Sequence, residues 1–188
     1  MANFFETIKT DITELAKWNT SPTALGKLQL IFDAGAHAVI TYRIGHLASK
    51  TKIPVIRHVM LLVHFIMNIF VHFTSGIEIC KEARIGKGLV VHSFTGVLIS
   101  RVEMGEFCVL SPNVFIAGRK DGLPSIGNNV FFGIGCKVLG KVTIGDNANV
   151  GANAVVVKDV PANHTAIGVY PFKLYPNKTS TKSKLGNV

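Results

Sequence analysis

Seven histidines, three cysteines and twenty lysines and arginines are the side chains of this 188-residue sequence best suited to reactions or to charged ligands. His64, Asn68 and His72 recur every fourth residue, which places two imidazoles on one helical stripe and makes a metal site conceivable. No acid or cysteine accompanies them, so no metal is expected. Cys80, Cys108 and Cys136 lie 28 residues apart each time. That spacing matches neither a zinc motif nor a redox motif, and an odd, sparse set makes no disulfide framework, which points to a reducing compartment. His92 stands alone between His72 and His164. The net charge of +9 leaves nucleic acid, an anionic membrane or a phosphorylated small molecule as possible partners. Many of the cations crowd the last third as Lys158, Lys173, Lys178, Lys182 and Lys184. No nucleic-acid motif surrounds them, and the stretch after Asn177 lacks aromatic interleaving, so a solvated tail is expected and nucleic acid is not.

The elements that position these groups follow from a period. Composition excludes intrinsic disorder: 48% of residues are apolar, 16% are charged and 18 are glycine. Ile126, Phe132, Val138, Ile144, Val150 and Val156 recur every sixth residue, usually followed by a small or polar residue. The same period extends backward through Ile79, Ile85, Val91 and Val97 and, with one extra residue, through Met104, Leu110 and Ile116. A period of six suits neither a helix nor a simple strand. It suits a left-handed parallel β-helix, in which each hexapeptide forms one face of a triangular prism and the large residue points inward. The largest break, Gly118 to Ser125, carries about four residues too many for the prism. It reads as a projecting loop holding Arg119, Lys120 and Asp121, and such loops carry function.

The first 75 residues lack this period and read as α-helical. Asn3–Trp18 forms an amphipathic helix, Pro22–Ser49 one or two helices, and Val55–Phe73 a third after the break at Pro54. The third helix is apolar except for Arg57, His58, His64, Asn68 and His72, four of which share a stripe. It is too polar for a membrane crossing and is expected to pack against other helices or a neighbouring subunit, with peripheral membrane attachment the alternative. The N-terminus carries acids early and no apolar core with a cleavage site, so no signal peptide and a cytoplasmic location, at most peripheral to the inner face of the membrane, are expected. The resulting division is a helical segment 1–75, a β-helix domain 76–173 and a basic tail 174–188.

The string Tyr42-Arg43-Ile44-Gly45-His46, an apolar helix, Gly76-Ile77-Glu78-Ile79, Thr95-Gly96 and the repeats through Val160-Pro161 resemble the serine acetyltransferases, hexapeptide-repeat acyltransferases, over roughly Ala38 to Lys173. The resemblance implies acetyl-CoA as cosubstrate and a homotrimer with acyl-CoA along a prism edge between subunits, the pairing of trimers being left open. It also implies a histidine that takes the acceptor hydroxyl's proton and an acid that orients it. The family's Asp-His-Ala-Thr-Gly string falls on His92-Ser93-Phe94-Thr95-Gly96, so Ser93 occupies the place of the family's base. His92 is assigned as the base from the adjacent position, Glu78 as its orienting acid, and Ser93 and Asn113 join Arg119, Lys120 and Asp121 as acceptor-binding residues.

For coenzyme A the resemblance implies the small residues of the groove, Gly133, Gly135, Cys136, Gly151, Ala152 and Ala154, whose amides could meet pantetheine, with Lys158 and Lys173 on the phosphates. The loop departs from the family's Gly-Gly-Asp-Arg-His-Pro string: Gly122 and Leu123 stand where an arginine and a histidine hold serine. Losing a guanidinium costs affinity for a carboxylate. The expected activity is therefore O-acetylation of a sugar hydroxyl of a surface polysaccharide or its precursor. Serine O-acetylation and a catalytically inactive scaffold are the alternatives.

Overall fold

The computed structural model describes residues 4–19, 32–92, 96–168 and 173–176. Ser93 and the tail after Pro176 lie outside the described residues, and of Lys173 only the backbone is described. Three helices come first: α1 (Phe4–Asn19), α2 (Ala34–Lys50) and α3 (Pro54–Ser75). Asp33 caps α2, its Oδ1 accepting from the Ala36 amide at 2.9 Å. Pro54 opens α3, and Gly76 in the left-handed region ends it.

Short strands follow, three to a coil. The first coil holds β1 (Glu78–Ile79), β2 (Arg84–Ile85) and β3 (Val90–Val91), and the second β4 (Leu98–Ile99), β5 (Glu103–Met104) and β6 (Val109–Leu110). The third holds β7 (Phe115–Ala117), β8 (Ser125–Ile126) and β9 (Phe131–Phe132), and the fourth β10 (Lys137–Leu139), β11 (Thr143–Ile144) and β12 (Asn149–Val150). The last are β13 (Val155–Val156), β14 (His164–Ile167) and β15 (Lys173–Pro176). Every third strand pairs in parallel, giving a first face β1-β4-β7-β10-β13, a second face β2-β5-β8-β11 and a third face β3-β6-β9-β12-β14, which β15 extends antiparallel. This is the expected left-handed β-helix.

The interior is a set of ladders. Ile79, Ile99, Ile116, Val138 and Val156 stack on the first face, and Val91, Leu110, Phe132, Val150 and Ala166 on the third. The register corrects the expected one in one place: the first-face ladder runs through Ile99, not Val97. Val97 occupies a second interior position two residues before the ladder residue, shared with Ala83, Leu89, Cys108, Cys136 and Ala154, all buried. Eight residues rather than six therefore separate the ladder residues Val91 and Ile99. Cys108 and Cys136 are core residues, and burial pushes their thiols up to about 11 and about 12, far from the thiolate.

The Tyr-Arg-Ile-Gly-His string works as a clamp on the first coil. The Tyr42 hydroxyl donates to the Ala83 carbonyl at 2.9 Å and accepts from the Ile85 amide at 3.2 Å. Arg43 donates to the carbonyls of Ile85 and Gly86 at 2.7 and 2.6 Å and reaches Asp11 of α1. His46 Nδ1 meets the Lys81 carbonyl at 3.0 Å. Ala38, Val39 and Tyr42 join the core cluster with Ile77 and Ile79, so α2 plugs the end of the prism that would otherwise expose its apolar interior.

Gly45 lets α3 approach. A Cβ there would stand 2.6 Å from the His64 ring, whose Nδ1 is tied to the Thr41 carbonyl at 3.0 Å. Gly45→Ala, which in an open helix would gain about 1 kcal/mol, should instead destabilise by about 1–3 kcal/mol. Urea denaturation checks the sign, and the added His64→Ala should recover most of the loss.

Candidate functional site

The corner between the third and first faces gathers residues distant in sequence. His92 leaves β3 there, Asn113 links β6 to β7, Gly133 to Cys136 link β9 to β10, and Gly151 to Ala154 link β12 to β13. Gly96, Asn113, Gly135, Asn153 and Gly168 all have positive φ, between 53° and 86°. The edge is thus a column of left-handed residues alternating between glycine and asparagine, the two types that tolerate this turn best. Glu78 lies on the same edge at the start of β1, exposed and pointing away from the prism.

His92 keeps its amide in the third-face ladder, donating to the Leu110 carbonyl at 2.9 Å. Because Val91 points inward, Val90 and His92 turn outward under the helices, where Val90 packs with Leu15 and Ala36. The His92 ring meets Trp18 edge-on at 5.5 Å, and Trp18 stacks on Phe131 at 6.2 Å. Burial in this pocket holds the imidazole below its ordinary pKa, while the negative charge of Asp33 pulls it partly back. An imidazole so placed is neutral near pH 7 and able to accept a proton. The carboxylate whose charge it feels is that of Asp33, at the head of α2, while Glu78 lies at the same corner, exposed at the start of the first face. Reading the sequence missed Trp18, Asp33 and Phe131. The lone tryptophan at i+7 from Asp11 on α1, and an aspartate three residues before Ala36, were the available signals.

The coenzyme A candidates divide. The amides of Gly133, Gly135, Gly151 and Ala154 donate to Val150, Pro112, Ala166 and Gly151, and that of Cys136 to Gly133. These amides are spent within the solenoid, so what the residues offer a ligand is an unobstructed surface and carbonyl oxygens. The Cys136 and Ala154 side chains lie inside the prism. Ala152 is exposed at the edge.

The projecting loop forms at a different corner, between the first and second faces. Arg119 and Gly122 close it as an antiparallel bridge, exchanging amide–carbonyl bonds of 2.9 and 3.1 Å. Arg119, Lys120 and Asp121 are exposed on it. Lys158 lies at the same corner, after β13. The structure therefore brings His92, Glu78, Asn113 and the glycine column to one edge, and Arg119, Lys120, Asp121 and Lys158 to another. Among the described residues no group of three or more His, Cys, Asp or Glu could hold a metal ion.

Residues 124–158 match the family model of the bacterial transferase hexapeptide (six repeats). Over 153 residues the chain is 34% identical to a serine acetyltransferase of Helicobacter pylori, the match covering 78% of this chain and 85% of that protein. Over 171 residues it is 32% identical to a serine acetyltransferase of Synechococcus elongatus, covering 88% of this chain and 66% of that protein. The fold is similar to the crystal structure of Neisseria gonorrhoeae serine acetyltransferase, with a TM-score of 0.77 and 27% identity over 96% of this chain and 69% of that one.

Proposed function

Because the chain belongs to the serine acetyltransferase family of hexapeptide-repeat transferases, we propose that it moves an acetyl group from acetyl-CoA to the hydroxyl of L-serine. The observation that carries this reading is the 34% identity to the Helicobacter protein across 85% of that protein's length. His92 serves as general base. Its neutral ring takes the hydroxyl proton as the oxygen attacks the thioester carbonyl, the C–S bond then breaks, and the imidazolium returns the proton to the departing thiolate of coenzyme A. Glu78 or Asp33 orients the ring and stabilises its charged form. Acetyl-CoA lies along the glycine and asparagine column with Ala152 at its surface, and its phosphates meet Lys158 of a neighbouring copy, since Lys158 of the same chain stands at another corner.

In a single chain the His92 edge and the Arg119 loop occupy different corners. A site that uses both draws the loop from a neighbouring copy, which supports the homotrimer expected from the sequence.

One observation favours a sugar hydroxyl as acceptor instead: Gly122 and Leu123 occupy the places of the family's arginine and histidine, so no guanidinium stands at the matched position to fork onto a carboxylate. Coenzyme A release, followed with a thiol reagent, separates the readings. Saturable turnover of L-serine supports the first. Turnover of a nucleotide sugar or oligosaccharide at least tenfold faster than of serine supports the second. Absence of acetyl-CoA binding would leave only a non-catalytic scaffold.

A further inference from the structure

Helix α1 and strand β3 run side by side and in step. The Asp11 carboxylate, midway along the helix, accepts from the amides of Gly88 and Leu89. One turn on, Leu15 packs with Val90, and near the helix end Trp18 meets His92. From Asp11 to Trp18 the helix advances about 10 Å, at roughly 1.5 Å per residue. From Leu89 to His92 the strand also advances about 10 Å, at roughly 3.3 Å per residue. Pinning Asp11 therefore fixes where Trp18 falls.

Trp18 joins two rings that the prism alone keeps apart. Its ring stands edge-on to the His92 imidazole, with centroids 5.5 Å apart and planes at 77°. It lies nearly parallel to Phe131, at 6.2 Å and 22°. Phe131 opens β9 on the same face as β3, in register with Val109 and Val90. Edge-on and offset stacked pairs are the favoured aromatic geometries, so the three rings hold one another at fixed angles. Trp18 keeps 39% of its surface exposed, against 2% for Leu15. Anchoring α1 in the core thus falls to Leu15, and Trp18 serves the ring it faces.

We propose that Trp18 is a positioning residue for His92: α1, pinned by Asp11, holds the indole against the imidazole, fixing its angle and shielding it from water. This rests on His92 being the general base. A base must aim its lone pair within hydrogen-bond reach of the proton it takes, and a misplacement of about 1 Å costs about 10²-fold. A histidine at a solenoid corner otherwise turns about two side-chain bonds. Shielding also disfavours the charged ring, the direction in which burial moves His92. Among the described residues, Asp33 supplies the charge that acts on the ring. The other charged or titratable groups on the surrounding elements are turned to other partners or to solvent. Lys17 pairs with Glu14 and Arg43 with Asp11, His37 lies against Phe70, and Glu78 is exposed on β1. Glu6 and Lys9 lie beyond Asp11, toward the far end of α1.

Trp18 is the only tryptophan of the chain, so the native protein carries its own probe. An imidazolium in contact quenches indole emission more than a neutral imidazole does. On acidification the emission should fall, with a midpoint matching the acidic limb of log kcat/KM, and His92→Gln should abolish that step. With acetyl-CoA and L-serine, or a nucleotide sugar if that turns over faster, Trp18→Ala should lower kcat about 10–100-fold and leave the KM for acetyl-CoA within about twofold of native. Its acidic limb should move up toward 6.5. Trp18→Phe, which keeps a ring, should restore kcat to within about threefold. Trp18→Leu keeps apolar bulk should the alanine variant fail to fold, and its kcat should still fall about tenfold. Native kcat and a native acidic limb in the alanine or leucine variant would overturn the positioning role. So would a native emission that stays level through the acidic limb, or a step that survives in His92→Gln. Native kcat in His92→Ala would instead remove the base on which the role depends.

Discussion

Asp11→Ala is expected to lower folding stability by about 3–5 kcal/mol, the usual cost of leaving half of a buried ion pair without its partner. For a chain of this size that corresponds to a fall in melting temperature of roughly 10 °C. The carboxylate accepts from Arg43 Nε at 2.9 Å and Nη2 at 3.2 Å, and from the amides of Gly88 and Leu89 at 2.6 and 2.9 Å. Both side chains are almost wholly buried, with exposures of 2% and 7%. Burial raises the carboxyl above its ordinary value, against the pull of Arg43 and the two amides. Four donors converge on this group, so its removal leaves the guanidinium charged and the amides unpaired at the junction of α1, α2 and the first coil. Asp11→Asn, which keeps an acceptor but loses the charge, should lie between. Differential scanning calorimetry on the purified chain measures both, and an Asp11→Ala melting point within 2 °C of the native one would show that the clamp does not hold the helices on the solenoid.

His92→Ala should reduce kcat by about 10²–10⁴-fold, the usual contribution of a general base, with the KM for acetyl-CoA within about twofold of native. The pH profile carries a second signature. Burial lowers the imidazole pKa, and only the neutral ring can accept a proton. Log kcat/KM should therefore rise with pH through an apparent pKa below 6.5 and stay level above it. Asp33 raises the pKa, so Asp33→Asn should move that limb to lower pH. A native profile without an acidic limb, or a His92→Ala enzyme of undiminished kcat, would exclude His92 as the base. The same titration bears on stability. A folded-state pKa below the unfolded value costs nothing above pH 6.5, and stability falls as pH drops below 6.5 toward the lowered value.

Much of the solenoid was legible because a hexapeptide repeat is a local code. Each interior residue meets equivalents one coil above and below, so Ile126, Phe132, Val138, Ile144, Val150 and Val156 announce their own positions. The code failed at Val97, because eight residues rather than six separate the ladder residues Val91 and Ile99 and the second interior position passes for the first. The helices were legible as elements through Pro54 and apolar spacing. Their sides were not, because α3 turns its polar stripe toward the protein, the reverse of what solvent alone would select.

The sequence by itself determined the prism, the break at Gly118 to Ser125 and the family, since period and motif are properties of neighbouring residues. Only the tertiary structure decided that Asp11 and Arg43, 32 residues apart, form one buried pair that ties α1 and α2 to the first coil. It also decided that His92 lies against Trp18 and near Asp33, and that the loop and the His92 edge stand at different corners. Each of these depends on how helices dock on a solenoid. Docking is set by side-chain volume and by the need to pair buried charges across long stretches of chain, which no local spacing records.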